Sequence, residues 1–272
     1  MHRSFVQAGE NPFAQGYAIV DPDTPERVAR DAERLAGRGL IQLCTLVDAW
    51  APEALEHDLG RRCLAAILSQ PGWTVRILTK NAAVTRDFDL IEQYRDRVLV
   101  GLSVTATPSM GEVMSVLEPN ASSIQARMAA MVDAKARGLR TYGMFCPLLP
   151  GIADSPDQVD LLVKFAADCG AEEMFVEPVN ARGPGLRMCE AALRDHGRLA
   201  EANAVGRVRE RRQWSQYVRS LISSVQQSVE RHSDLARLRV LLYPSRLLPE
   251  HAEEIRTHGA GVVWLGKDAS LQ

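Results

Sequence analysis

Polar residues that follow apolar runs are the places in this 272-residue chain where chemistry could be done. Lys80 follows the run TVRILT (Thr74–Thr79), Ser103 and Thr105 follow VLVGL, and Cys146 follows Leu139–Phe145. Cys44, Thr45 and Asp48 close the run beginning at Leu40, while Glu177 and Asn180 close the one beginning at Glu173. Each has a plain structural alternative. A terminal lysine can be a solvated strand end, a lone serine can bond a nearby carbonyl, and a free cysteine can be a small buried hydrophobe. In VTRDFDLI, Asp87 is placed to cap the next helix and Arg86 to pair with a carboxylate. The basic run RVRERRQW (Arg207–Trp214), with Tyr217 beyond it, offers phosphate contacts with interleaved aromatics. Its alternating charge fits a solvated helical face better.

The apolar runs that position these groups are Leu40–Thr45, Thr74–Thr79, Val98–Val104, Leu139–Phe145 and Glu173–Glu177. They are short and rich in branched residues, and helical spacing separates them, which is the pattern of repeated strand-helix units with a parallel sheet. The predicted helices are Pro25–Ala36, Pro52–Leu68, Ala121–Arg137 and Pro156–Cys169. The third is capped by Asn120 or Ser122, closed by Gly138, and carries Ile124, Met128, Met131 and Val132 on one face. A (β/α) barrel and an open doubly wound sheet both fit this order, and both bind ligands at the carboxyl ends of the strands. After Gly185 the chain turns polar, with a helical stretch from Ala202 to His232. Two further apolar runs, Leu238–Tyr243 and Gly261–Leu265, flank a helix near Pro249–Thr257 and are either an appended subdomain or the last units of the sheet.

Composition narrows the class. With 46% hydrophobic residues the chain can bury a substantial core, and 32 basic against 34 acidic residues give no global attraction for nucleic acid or anionic membrane. No apolar run is long enough to span a bilayer, and MHRSFVQAGENPF lacks the apolar core of a signal peptide, so a cytoplasmic protein is expected. The five cysteines, Cys44, Cys63, Cys146, Cys169 and Cys189, are widely spaced, with no CxxC, which argues against a disulfide framework.

RILTKNAAVTRDFDLI, GLSVTA, LEPNASSIQARMAAMVDAKARGL and CPLLPGIAD occur in that order, with TLVDAWAPEALE upstream. This series resembles the spore photoproduct lyase-like radical S-adenosylmethionine (SAM) proteins over about Phe5 to Gly183. The resemblance implies a partial (β/α)6 barrel at 1–185, missing its first strand, followed by a C-terminal extension at 186–272. It also implies a SAM molecule and a 4Fe–4S cluster at the mouth, with a 5'-deoxyadenosyl radical that abstracts a substrate hydrogen. Lys80 falls on the lysine expected to meet the SAM carboxylate. Ser103 falls on a serine placed to bond the ribose, and Thr105 follows it on the cofactor side. Glu118 and Arg127 fall on an EP…R pair, as ligand contacts or as a structural ion pair. Asp48 and Glu53 match an aspartate and glutamate of the second-strand loop that face the substrate or orient other groups, and Asn180 and Arg182 are further substrate-side positions. Cys44 lies where relatives carry a proposed hydrogen-donor cysteine. The cluster requires CxxxCxxC on the loop after the first strand, and this sequence has none. HRSFVQAGENPF resembles the stretch after the last cluster cysteine, so the chain is expected to begin just downstream of that loop. Two alternatives remain: a barrel that has lost radical chemistry and acts as a ligand-binding or interaction protein, and an unusual metal site using Cys44 and Cys146. The substrate is not specified, and the near-neutral charge gives no support to DNA.

Overall fold

A computed structural model describes residues 20–35, 38–44, 47–181 and 184–266. Arg182, Thr45, Gly37 and the HRSFVQAGENPF opening lie outside the described residues. The strands are β1 (Leu40–Leu43), β2 (Thr74–Thr79), β3 (Val98–Leu102), β4 (Arg140–Thr141), β5 (Gly143–Leu148), β6 (Met174–Pro178), β7 (Leu238–Leu242) and β8 (Val262–Trp264). The helices are α1 (Thr24–Arg34), α2 (Pro52–Leu55), α3 (Leu59–Leu68), α4 (Phe88–Gln93), α5 (Gly111–Leu117), α6 (Ile124–Ala136), α7 (Pro156–Asp168), α8 (Gly185–Asp195), α9 (Leu199–Arg207), α10 (Arg211–His232) and α11 (Pro249–His258).

Every strand pairing is parallel and follows chain order, β1-β2-β3-β4 and β5-β6-β7-β8. The two ladders are one array, because β4 and β5 are a single extended segment interrupted at Tyr142. The Tyr142 amide donates to the Val100 carbonyl at 3.1 Å, and Ser103 bridges to Met144 across the same seam. Gln42 of β1 and Leu241 of β7 line one cavity, so the array is curved around a lumen. The protein is therefore an α/β partial barrel. Strands joined by helical crossovers must run parallel, and the crossovers cover the convex face.

The pleat fixes which residues look inward. In β2, Val75, Ile77 and Thr79 are buried beneath the helical layer, while Arg76, Leu78 and Lys80 face the lumen. Tyr142 crosses the lumen wall at Gly101, where an added Cβ would come within 2.4 Å of the ring, and its hydroxyl donates to the Ile77 carbonyl at 2.8 Å. Only glycine leaves that space.

The two apolar runs after Gly185 become β7 and β8, and they pair onto β6 as units of the same sheet. The segment 186–272, expected as an extension of a 1–185 core, is joined to it through that pairing. The expected 52–68 helix is two helices, broken where Asp58 takes a left-handed φ of 48°. The 202–232 stretch is likewise divided into α9 and α10, with Glu210 capping the second by accepting from the Arg212 and Gln213 amides. The buried face of α6 is rotated from the expected one. Val132 is 54% exposed, whereas Arg127, Ala130 and Ala134 point inward with Ile124 and Met131. Ser123, not Asn120 or Ser122, caps that helix, accepting from the Ala126 amide at 3.2 Å. Among the described residues no helix is long and apolar enough to cross a membrane.

Candidate functional site

The lumen holds a cavity of about 630 Å³, within the usual range for small-molecule sites. Its mouth is at the carboxyl ends of the strands, where Lys80, Ser103, Cys146 and Glu177 face one another. Lys80 leaves β2 directly into a loop held by Asp48. The Asp48 carboxylate accepts from the Thr79 hydroxyl at 2.7 Å, the Lys80 amide at 2.8 Å and the Trp50 amide at 2.9 Å. These bonds fix where the Lys80 backbone ends, and with it the reach of the side chain.

The Lys80 ammonium pairs with Glu118 Oε1, and the other Glu118 oxygen accepts from Arg127 Nη2 at 2.5 Å. The Thr105 hydroxyl donates to Glu118 at 3.3 Å. Arg127 is 1% exposed, and its remaining donors reach the Ser122 carbonyl (2.7 Å, from Nε) and the Ser103 carbonyl (2.9 Å, from Nη1). Burial raises the Glu118 carboxyl, but the nearby Lys80 and Arg127 charges and hydrogen bonds outweigh it and hold the group below its ordinary range. The carboxylate has two cations. Lys80, with a side chain 35% exposed and three N–H donors, keeps donor capacity toward the lumen.

Five sequence-selected residues thus converge: Lys80, Ser103, Thr105, Glu118 and Arg127. Ser103 is buried and donates its hydroxyl to the Cys146 carbonyl at 3.0 Å, which leaves its oxygen able to accept. Asp48 adjoins them as the clamp on Lys80. Cys44 lines the same cavity in a left-handed conformation (φ 71°), and its sulfur accepts from the Ala49 amide at 3.2 Å. Burial pushes its thiol up to about 12, so it stays a neutral S–H. Glu53 is exposed in the first turn of α2, and Asn180 is exposed beyond β6; neither lines the cavity.

Asp87 occupies the N-cap position of α4 but makes no cap bond there. Its buried carboxylate instead accepts from Trp50 Nε1 at 2.8 Å and from Arg61 at 3.3 Å, tying the Asp48 loop to the helical layer. Arg86 pairs with Asp58 at 3.2 Å on the surface. Trp214 and Tyr217 are buried, so they offer no stacking face between the arginines. Trp214 Nε1 donates to the Val179 carbonyl at 2.8 Å, and the Tyr217 hydroxyl accepts from the Val179 amide at 3.1 Å, pinning the end of β6.

Arg76, Tyr142, Met144 and Phe175 line the lumen below the mouth and did not emerge as site residues from sequence. The alternation in TVRILTK carried a signal for the first, since Arg76 is on the same face as Lys80. Glu177 faces the cavity, its carboxylate has no hydrogen-bond partner among the described residues, and burial raises its carboxyl.

Fold and site together define an open parallel (β/α) partial barrel with a central cavity and a lysine–glutamate–arginine cluster at its mouth. No family model matches the chain. It is 26% identical over 157 residues to the uncharacterized protein ORF301 of Acidianus two-tailed virus, covering 57% of this chain and 50% of that one. It is 32% identical over 124 residues to the uncharacterized protein Rv2578c of Mycobacterium tuberculosis, covering 45% and 36%. The chain therefore spans half or less of the length of these curated relatives. Among solved structures it is similar to spore photoproduct lyase complexed with dinucleoside spore photoproduct, with 17% identity and a TM-score of 0.47, covering 66% of this chain and 55% of that one. A point mutant of the same lyase gives 16% identity and 0.46, over 64% and 52%. Likeness at this level leaves the fold assignment resting on the strand order itself.

Proposed function

We propose that this chain is a radical SAM-type protein that binds SAM in the lumen, with the SAM carboxylate on Lys80. The observation that carries the reading is the arrangement of Lys80: an ammonium at a strand's carboxyl end, clamped through its backbone by Asp48, and facing a ligand-sized cavity. Its partner Glu118 has a second cation in Arg127. A ligand carboxylate can therefore join Lys80 without stranding Glu118 as an uncompensated buried charge. The Ser103 oxygen offers an acceptor to a ribose hydroxyl, and Leu78 and Met144 give the adenosine an apolar wall.

Bound SAM supplies a sulfonium whose one-electron reduction yields a 5'-deoxyadenosyl radical; the electron donor in such chemistry is a 4Fe–4S cluster. The cysteines among the described residues do not fit one. No three His, Cys, Asp or Glu side chains are grouped to hold a metal among those residues, and Cys63 and Cys169 are buried in the apolar core. Burial raises the thiols of Cys44, Cys146 and Cys189 away from the thiolate form a cluster needs. Reductive cleavage of SAM therefore requires cluster ligands other than these. What the described residues do toward SAM is bind and orient it: Lys80 meets the carboxylate, Asp48 holds Lys80 in place, and Arg127 holds Glu118.

Isothermal titration with SAM tests the reading. Wild type is expected to bind, and Lys80→Ala to bind about ten- to a hundredfold more weakly, the loss of one charge-assisted contact. Absence of SAM binding, or equal affinity in the two proteins, would overturn it.

A further inference from the structure

Two pleats below Lys80, about 13 Å along β2 at ~3.3 Å per residue, Arg76 forms the floor of the lumen. Its guanidinium lies against Phe175 (4.6 Å to the ring centroid) and Tyr142 (5.3 Å), two rings that meet edge to face at 85°. Aromatic neighbours hold the guanidinium plane and leave its edges to make hydrogen bonds. Nη2 donates to Glu173 Oε2 at 2.6 Å, but that carboxylate is shared, because Arg239 Nη2 approaches its other oxygen at 3.3 Å. One carboxylate serves two guanidiniums, so the floor carries an excess positive charge.

The donors are also incompletely used. Arg76 Nε is buried with no acceptor, and Nη1 has no hydrogen-bond partner among the described residues. Nη1 is not enclosed as Nε is, and Arg76 lines the cavity. The Arg76 side chain is half-buried, and its enclosed Nε is an unmet donor of a kind that nearly always finds a partner in proteins. The Tyr142 hydroxyl donates to the Ile77 carbonyl and accepts from Gln42 Nε2 at 3.4 Å; Gln42 is the register partner of Arg76 across β1 and β2 but its side chain makes no hydrogen bond to Arg76, and Leu78, Met144 and Leu241 are apolar. Among the described residues no side chain hydrogen-bonds Nε or Nη1.

We propose that Arg76 is an oxyanion-binding subsite, receiving a carboxylate or phosphate-type group of a small-molecule substrate that enters past Lys80 and extends to the floor. The inference rests on the lumen being the ligand chamber, as proposed above, and assigns the substrate class: an anion rather than an apolar or cationic molecule. Guanidinium geometry suits it, since Arg presents planar, directed donors to oxyanions where Lys is a point charge. Glu177, higher on the same wall as Phe175, adds a place for a hydrogen-bond donor on that substrate.

The test uses inorganic phosphate and acetate as probes, titrated against the full chain at constant ionic strength and read by thermal shift and by calorimetry. Wild type is expected to show a saturable response, of which Lys80→Ala retains the part that Arg76→Gln loses. Arg76→Gln is expected to bind the probe at least about tenfold more weakly. Glu173→Gln, which removes the competing carboxylate while keeping Arg76, is expected to bind more tightly than wild type. A larger response to phosphate than to acetate would identify a phosphate-type group, and the reverse a carboxylate. Absence of response in wild type, or a response lost in Lys80→Ala and kept in Arg76→Gln, would overturn the floor site. So would an unchanged affinity in Glu173→Gln, which also guards against misfolding of the Arg76 variant. SAM titrated into the same proteins separates the two readings: a floor response without SAM binding would remove only the SAM assignment.

Discussion

Replacing Arg127 with methionine should be among the most damaging single changes in this protein, and the structure says how damaging. The side chain is 2% exposed and makes three hydrogen bonds, one of them to a carboxylate that is itself mostly buried. Methionine fills most of the volume but leaves Glu118 with Lys80 as its sole cation. Losing one member of a buried pair costs about 3–5 kcal/mol when nothing else compensates; because Lys80 remains, about 2–3 kcal/mol is expected. The Ser103 and Ser122 carbonyls also lose their donor, at roughly 1 kcal/mol each. The total, about 4–5 kcal/mol, corresponds to a drop in Tm of about 8–20 °C for a chain of this size class. Urea unfolding at pH 7 followed by tryptophan fluorescence measures it, with Arg127→Lys as a control expected to lose about half as much. A loss under about 1 kcal/mol for Arg127→Met would refute the claim that Glu118 depends on two cations.

The pH dependence of the same cluster follows from the depressed Glu118 carboxyl. A group held low in the folded state contributes stability above its unfolded pKa of ~4.3, lost as pH falls through the folded value, so wild type should weaken more steeply than Glu118→Gln below about pH 4 in pH-dependent urea melts. Glu177 has the opposite sign. Its raised carboxyl favours the fold when protonated and loses that stability as pH rises through the folded value, so Glu177→Gln should raise Tm relative to wild type at pH 7 and show no gain at pH 4. Gly101→Ala should cost about 1–3 kcal/mol in urea unfolding, because the new methyl meets the Tyr142 ring at 2.4 Å; Tyr142→Leu in the same chain should recover part of it. Trp50→Phe should cost about 1–2 kcal/mol by removing the donor to buried Asp87, read by the same melts.

Much of the fold was legible because strand-helix alternation is a local pattern. The run Thr74–Thr79 became β2 without a shift of boundary, and the two short runs near Leu238 and Val262 became strands of the same sheet. Boundaries failed where tertiary contacts override local spacing. Asp58 in a left-handed conformation splits one predicted helix, and the inward Arg127 rotates the buried face of α6 away from Val132. The mouth was legible because strand ends collect polar groups, which is why Lys80, Ser103, Thr105 and Asp48 were selected and meet. The floor was not. Arg76 looks like a surface residue until the sheet curves and sets Phe175, almost a hundred positions later, against its guanidinium. Asp87 illustrates the converse: a helix-start aspartate reads as a cap, yet its carboxylate is claimed by Trp50, a partner no local pattern announces.

The central claim, that Lys80 holds the carboxylate of SAM, is tested most directly by a cycle that removes each partner separately. Calorimetric affinities would be measured for SAM and for decarboxylated SAM against wild type and Lys80→Ala. If the contact exists, wild type prefers SAM over its decarboxylated form by about tenfold or more, Lys80→Ala shows no preference, and the coupling between residue and ligand group is at least ~1.4 kcal/mol. Equal preference in the two proteins, leaving no coupling, would contradict it.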